Sequence, residues 1–542
     1  MCMKMFRFLM MMMAAVVMAG FVSCNDDAED IGGGDLNTEE ANAYLSFNIM
    51  VSDDSGLRGA EDSGTPEPAS LQENKISNLY LYFFKENSGV YEYVTGVTVP
   101  EASLTSTGTG ASSGSIGVRF PETPGTYQVI ALANKDIPAP PSSGDNMEDV
   151  LKSINPAMAY VDQALGSTDV LPMASRTKNN LDNPTADIKY HKSQPYTEFT
   201  ITASNNKDNP LAIKITMERA VAKLAIKAVA DNEYTINSTL DNECVVTIDG
   251  YSVVNVRNSG YFFRNVVQQN FTVGYGDVYD GPQANTGGLD PKPAYQTSVN
   301  PNFYVWDPMS VNKNSALNAI AGWTNGNYLD DYHQHVTGIT FSATTPGIFE
   351  NMITSSTYSL VGYCAENTAV HDAQRNGYST GVVFRGSVNP TKVYEDATTS
   401  NPYASGTDVY YSTRTKKFYE DADAVVADPD TRITLVDIAT FEIDEAGLER
   451  MELTAGLQKF TAGHCYYTYW IKHQDDDLVK NQIMEFAIVR NNVYNMAITE
   501  ISKLGSSDVF IDPKDPNESS DLYFKVDLEI RPWIVRENNI KF

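Results

Sequence analysis

The sequence predicts an all-β protein: two β-sandwich domains in tandem, with long loops and a few short helices. Three observations carry that expectation. Tyr (31) and Phe (22) are plentiful beside many Thr and Val, while 36 Gly and 25 Pro recur along the chain, as in many strands joined by turns. Short runs alternate apolar and polar residues with a period of two, bounded by Gly, Asn, Asp or Ser. The 542 residues are too many for one hydrophobic core and enough for two.

Residues 1–24 read as an export signal. Lys4 and Arg7 supply a positive start, and residues 8–22 form an apolar run too short for a comfortable membrane span. The run ends Phe21-Val22-Ser23-Cys24, which resembles a lipobox; Cys24 would then receive lipid and become the mature N-terminus. An ordinary signal peptide is the alternative. Asn25, Asp26, Asp27, Glu29 and Asp30 follow, similar to the acidic tag that sends some lipoproteins to the outer face of the outer membrane, or simply a solvated tether.

Residues 25–74 hold the tether, a first strand and an exposed loop. Leu45, Phe47, Ile49 and Val51 alternate with Ser46, Asn48 and Met50, so one face is buried and one is wet. Residues 52–64, rich in Ser, Asp and Gly, should form an accessible loop. Arg58 is the only basic residue between Cys24 and Asn74, and eleven carboxylates surround it from Asp26 to Asp62. That isolation makes Arg58-Gly59 an address for an arginine-specific protease, and a cut there would remove the anchor and the first strand together.

The N-terminal domain is expected over residues 75–229, with strands at 76–84, 91–99, 115–120, 127–133, 196–203 and 211–217. Residues 103–115, Ser/Gly-rich, read as loop, and 147–154 as a short helix. Residues 218–226 read as this unit's last, long strand. The C-terminal domain is expected over 230–520, opening with paired strands at 244–256. Strands follow at 357–364, 381–384, 465–472, 486–490 and 493–501. Between them, residues 275–332 are Gly/Asn/Asp/Pro-rich and carry Tyr304, Trp306, Trp323 and Tyr328, an elaborated loop region.

Residues 521–542 close the chain. Leu522, Phe524, Val526, Leu528 and Ile530 alternate with Tyr523, Lys525, Asp527 and Glu529, then Pro532 interrupts and Trp533, Val535, Ile540 and Phe542 continue the apolar content. The buried faces Leu-Phe-Ile-Val, near the start, and Leu-Phe-Val-Leu-Ile, here, suit the same kind of groove. Two unrelated edge strands is the plainer alternative.

The formal net charge of −30 argues against nucleic acid and anionic lipid surfaces as partners. Cys2 and Cys24 belong to the leader, and Cys244, Cys364 and Cys465 are too scattered for a disulfide framework or a zinc pattern. Buried free thiols fit best, with a single bridge as the alternative. His333 and His335 beside Asp330 and Asp331 read as a solvated loop rather than a metal site, and Asp475-Asp476-Asp477 lacks the calcium-loop spacing. No nucleophile elbow and no His-Glu-x-x-His occurs, so neither a catalytic site, a cofactor nor a metal is expected.

Several segments together resemble the fimbrillins of type V pili, the protease-matured subunits of Gram-negative anaerobes, and within them the larger two-domain shaft subunits. They are residues 79–84; Ala131-Leu132-Ala133-Asn134; Arg219-Ala220-Val221-Ala222-Lys223; Tyr363-Cys364 with Glu366-Asn367-Thr368; and Thr380-Gly381. The densest are His464-Cys465-Tyr466-Tyr467-Thr468-Tyr469-Trp470, Val489-Arg490-Asn491-Asn492-Val493-Tyr494 and Arg531-Pro532-Trp533. Residues 275–332 match nothing in that pattern.

The resemblance implies two transthyretin-like Greek-key sandwiches, lipidation at Cys24 and export to the outer membrane. It implies cleavage between Arg58 and Gly59, loss of Leu45, Phe47, Ile49 and Val51, and polymerisation by donor-strand exchange into an extracellular fimbria that supports adhesion. The donor would carry Leu522, Phe524, Val526, Leu528, Ile530 and Trp533, with the final segment to Phe542 as rival. Partners would be copies of itself, accessory anchor and tip subunits, an arginine-specific protease and host or bacterial surface receptors. The alternative function is a surface glycan- or host-binding lipoprotein using Trp306, Trp323, Tyr328 and Tyr332 as stacking platforms.

Overall fold

The structure, a computed structural model, describes residues 41–51, 67–134 (bar 71 and 107–110), 141–147, 150, 158–159, 170–175, 196–256 (bar 238 and 241–242), 259–268 (bar 261 and 264), 303–306, 349–367, 374–438 (bar 377), 456–473, 485–507, 517 and 524–534. Strands dominate it. In chain order the first are β1 (Ala43–Val51), β2 (Glu67–Pro68), β3 (Asn78–Asn87), β4 (Val90–Pro100), β5 (Ala111–Val118), β6 (Gly125–Ala133), β7 (Met173–Ser175) and β8 (Leu211–Arg219). All but β2 join one sheet in the order β4-β3-β6-β7-β8-β1-β5, with Thr105–Ser106 at the far edge and Thr197–Ile201 beside β6. Leu81 and Val97 from one end of that order share a core with Phe47, Ile116 and Ile215 from the other, so the sheet curls over itself. An aromatic knot closes this core: Phe120 lies 4.4 Å from Tyr127 and 5.4 Å from Phe83, ring centre to ring centre.

Two sequence expectations fail here for physical reasons. Residues 111–115, read as loop for their Ser and Gly, form the first half of β5. Gly114 lies opposite Phe47, and a Cβ there would come within 2.6 Å of the Phe47 ring. Low bulk is the complement of a large neighbour, which local composition does not reveal. Residues 218–226 are not one strand of one sheet. β8 ends at Arg219, and after Ala220 the chain enters β9 (Val221–Ile226), which belongs to a different sheet. Val221 still packs into the first core, while Ala222, Leu224 and Ile226 pack into a second.

The remaining long strands are β10 (Cys244–Val254), β11 (Ser359–Ala365), β12 (Gly381–Pro390), β13 (His464–Trp470), β14 (Asn492–Ile501) and β15 (Phe524–Ile534). The second sheet runs β11-β9-β14-β15-β2, and the third Glu233–Thr235, β10, β12, β13. Leu224, Met496 and Ile498 of one face Val246, Phe384 and Tyr467 of the other across the second core, a sandwich. Residues 244–254 form one strand with a bulge at Asp249, not the expected pair. Residues 486–490 form no ladder beyond a lone bridge from Ile488 to Asn367. Of the short helix expected at 147–154, the described residues contain one turn, with Val150 N–H donating to the Asn146 carbonyl at 3.0 Å.

Sequence reading passed over a small five-stranded sheet between β12 and β13. Lys392–Tyr394, Ser400–Pro402, Val409–Ser412, Phe418–Tyr419 and Leu457–Phe460 make it, with helix α1 (Ala422–Ala427) against it. Asp421 caps that helix by accepting from Ala424 N–H at 2.8 Å. Tyr394, Tyr410, Tyr419, Val425 and Leu457 form the core of this small sheet, and beside it the buried Asp428 accepts from the Tyr419 hydroxyl (2.8 Å) and Lys417 Nζ (3.0 Å).

Candidate functional site

The first candidate site is the slot that holds β1. This strand is central: residues 45–51 pair in parallel with β8, and residues 43–50 pair antiparallel with β5. The predicted alternation places Leu45, Phe47, Ile49 and Val51 inward, each at most 2% exposed. Burial of each such side chain stabilises the fold by about 1.5–3 kcal/mol. Without β1, an apolar trough would open, with unpaired ladder groups on both β8 and β5.

β15 is the second candidate. It pairs antiparallel with β14 from Ile501↔Phe524 to Asn492↔Pro532, with one register shift between Ile498 and Glu500. Among the described residues its other side meets only β2, at Trp533 and Ile534. Val526 and Leu528 are partly buried against the second core, a looser seat than β1 has. Phe524, Ile530 and Trp533 lie in the strand, whereas Leu522 falls outside the described residues, as do Cys24, Arg58 and Gly59.

Between these sites lies a buried polar joint that sequence reading missed. Arg219, at the end of β8, is fully buried; its Nε donates to the Glu73 carbonyl and one terminal nitrogen to Asn491 Oδ1, both at 3.0 Å, while the other reaches Asn74 Oδ1. The Glu73 carboxylate takes Lys223 Nζ at 2.9 Å, the Tyr363 hydroxyl at 2.8 Å and the Ser70 N–H at 2.6 Å. Burial pushes the Glu73 carboxyl up, but Lys223, Ser70 and Tyr363 together outweigh it and hold it below the ordinary value of 4.5. Burial pulls the Arg219 guanidinium down while Glu73 and Tyr363 oppose the drop, and it stays charged at neutral pH. A second buried arginine, Arg490, meets Glu366 at 2.7 Å and the Phe262 carbonyl at 2.6 Å. The available signal was charged residues next to a buried-strand pattern, as in Glu218-Arg219-Ala220-Val221-Ala222-Lys223.

Cys244, Cys364 and Cys465 are free and buried. Burial pushes the Cys465 thiol up to about 12 and the other two up as well, the opposite of an activated nucleophile. Among the described residues no cluster of His, Cys, Asp and Glu could hold a metal ion. His333, His335, Asp330, Asp331 and Asp475-Asp476-Asp477 lie outside them, as do Trp323, Tyr328 and Tyr332. Trp306 ends the strand Phe303–Trp306, which pairs with Asn265–Gln268.

Residues 43–238 match the family model described as major fimbrial subunit protein (FimA). Residues 458–539 match the one described as major fimbrial subunit protein type IV, fimbrillin, C-terminal. The chain belongs to the major fimbrial subunit family. The first match opens on β1 and runs beyond β9, the second holds β13, β14 and β15, and residues 239–457 of this fimbrillin lie outside both. No curated protein matches the chain. Three crystal structures are similar at low identity. A proposed cell adhesion protein from Bacteroides eggerthii is 10% identical, with 92% of this chain and 98% of that one covered and a TM-score of 0.34. A fimbrial assembly protein from Parabacteroides distasonis is 9% identical, over 64% and 95%, with a TM-score of 0.24. Proteins from Bacteroides thetaiotaomicron proposed to bind polysaccharide are 12% identical, over 41% and 64%, with a TM-score of 0.22. Those TM-scores are too low to fix anything about this fimbrillin.

Proposed function

We propose that this fimbrillin is the building block of a surface fimbria, matured by proteolysis and polymerised by strand exchange. The chain leaves the cell as a precursor lipidated on Cys24. A cut between Arg58 and Gly59 frees β1, and the C-terminal end of the next copy enters the vacated slot, with Leu522, Phe524, Val526, Leu528, Ile530 and Trp533 as the donor. The final segment to Phe542 is the rival donor. The role is structural rather than enzymatic; anchor and tip subunits, an arginine-specific protease and surface receptors are the partners it calls for.

One observation carries the reading: β1 is a central strand paired along both sides, whereas β15 is paired along β14 and, among the described residues, meets a second neighbour, β2, only at Trp533 and Ile534. A donor that leaves nine paired positions beside β14 would gain the seven beside β8 and the eight beside β5. Each backbone hydrogen bond contributes about 0.5–1.5 kcal/mol net. Val526 and Leu528 would pass from partial to near-complete burial, adding further stabilisation. Strand addition to an open sheet is an established mode of assembly, and a head-to-tail contact between unlike surfaces need not close.

The test is to cut purified chain with an arginine-specific protease and look for detergent-resistant ladders and fibres. Arg58→Ala should remain monomeric, and a chain lacking residues 521–542 should stay folded and monomeric. Normal fibres from Arg58→Ala would overturn the proposal.

A further inference from the structure

Pro532 has no N–H to give, and the β14–β15 ladder stops there, at Asn492↔Pro532. The strand nevertheless runs two residues further, because another segment takes over. β2 pairs in parallel with it, Glu67 beside Trp533 and Pro68 beside Ile534. Two residues of ladder alone would fray. β2 is held from behind by the buried joint: Ser70 and Glu73 bond each other reciprocally, at 2.6 and 3.2 Å, and Lys75 N–H donates to the Gln72 carbonyl at 3.1 Å. Arg219, Lys223 and Tyr363, from β8, β9 and β11, grip Glu73 and Asn74.

We propose that residues 67–74 are a rivet between the two domains that seats the last two residues of β15 for as long as that strand stays in its own subunit. The rivet lies downstream of Arg58, so it stays in the joint when the chain is cut there. Only that last statement rests on the proposed cleavage. The coupling between joint and tail exists in the uncut chain and needs no polymer.

Hydrogen exchange on the full chain, uncut and cut, tests it. In the wild type, protection at residues 70–75 should be unchanged by cutting. Arg219→Lys keeps the charge but cannot reach three acceptors at once, so protection at 70–75 and 533–534 should fall together, by about tenfold or more. Residues 526–530, paired with β14, should keep theirs. If Arg219→Lys fails to fold, Tyr363→Phe removes a single bond to Glu73 and should give the same paired fall, smaller in size. Loss at 70–75 with 533–534 unaffected, or loss at 70–75 on cutting the wild type, would overturn the proposal. Failure to form fibres would leave these readings untouched and would count against strand exchange alone.

Discussion

Phe47→Ala separates the strand proposed to leave from the structure that stays. The Phe47 ring is 2% exposed, in a slot whose opposite wall, Gly114, has no side chain to follow it inward. The cavity therefore cannot collapse easily, and the cost should sit within the usual ~3–5 kcal/mol for a buried Phe→Ala change. With m near 2 kcal/mol/M, the first urea transition of the uncut chain should fall by about 1.5–2.5 M. Fibres grown from the cut variant should resist denaturant as well as wild-type fibres, because Phe47 is no longer in them. Phe524→Ala, on the candidate donor, should weaken the fibres. Fibres of Phe47→Ala that dissociate at lower denaturant than wild type would refute this reasoning, since β1 would then still occupy the slot.

Gly114→Val should cost the uncut chain about 1–3 kcal/mol by overpacking against Phe47, and Phe47→Ala should partly rescue it in a double-mutant cycle read by urea melts. The buried thiols of Cys244, Cys364 and Cys465 should ignore a disulfide reagent in the native cut chain and react only as it unfolds, followed by thiolate absorbance. The folded Glu73 carboxyl binds its proton less tightly than the unfolded one. Its stabilisation is therefore complete above 4.5 and drains as pH falls through the lowered value; thermal melts from pH 6 to 3 should show that loss, and Glu73→Gln should flatten it.

β1 was legible because it is wetter on one side, so alternation survives in Leu45, Phe47, Ile49 and Val51, and β15 was legible from the same alternation in Phe524, Val526, Leu528 and Ile530. β9 was not, because its two faces serve different cores: Val221 turns to one and Ala222 and Leu224 to the other. Periodicity tells which face is buried, never which sheet a strand joins, and the switch at Ala220 is invisible to it. The small sheet at residues 392–460 escaped for another reason. Its strands are two to four residues long, and its core is gathered from scattered residues such as Tyr394, Tyr419, Val425 and Leu457 rather than from one apolar run. Nor does spacing announce the joint, since Glu73, Arg219, Tyr363 and Asn491 meet only through the tertiary fold.

Why an uncut chain should stay monomeric follows from the tether. Fifteen residues, 52–66, join the end of β1 to β2, and β2 is fixed at the joint. A covalent connection that short makes re-entry of β1 intramolecular, at an effective concentration on the order of millimolar. A neighbour's tail at micromolar concentration would have to bind about a thousandfold more tightly than β1 to displace it, roughly 4 kcal/mol. A cut at Arg58 removes that advantage without touching the affinity of either strand. Shortening the loop should then slow exchange in uncut chains little, because they barely exchange at all. An accessible cut placed anywhere from 52 to 66 should license assembly as well as one at Arg58. Position within the loop matters less than the severed connection, provided the segment from Glu67 onward stays with the joint.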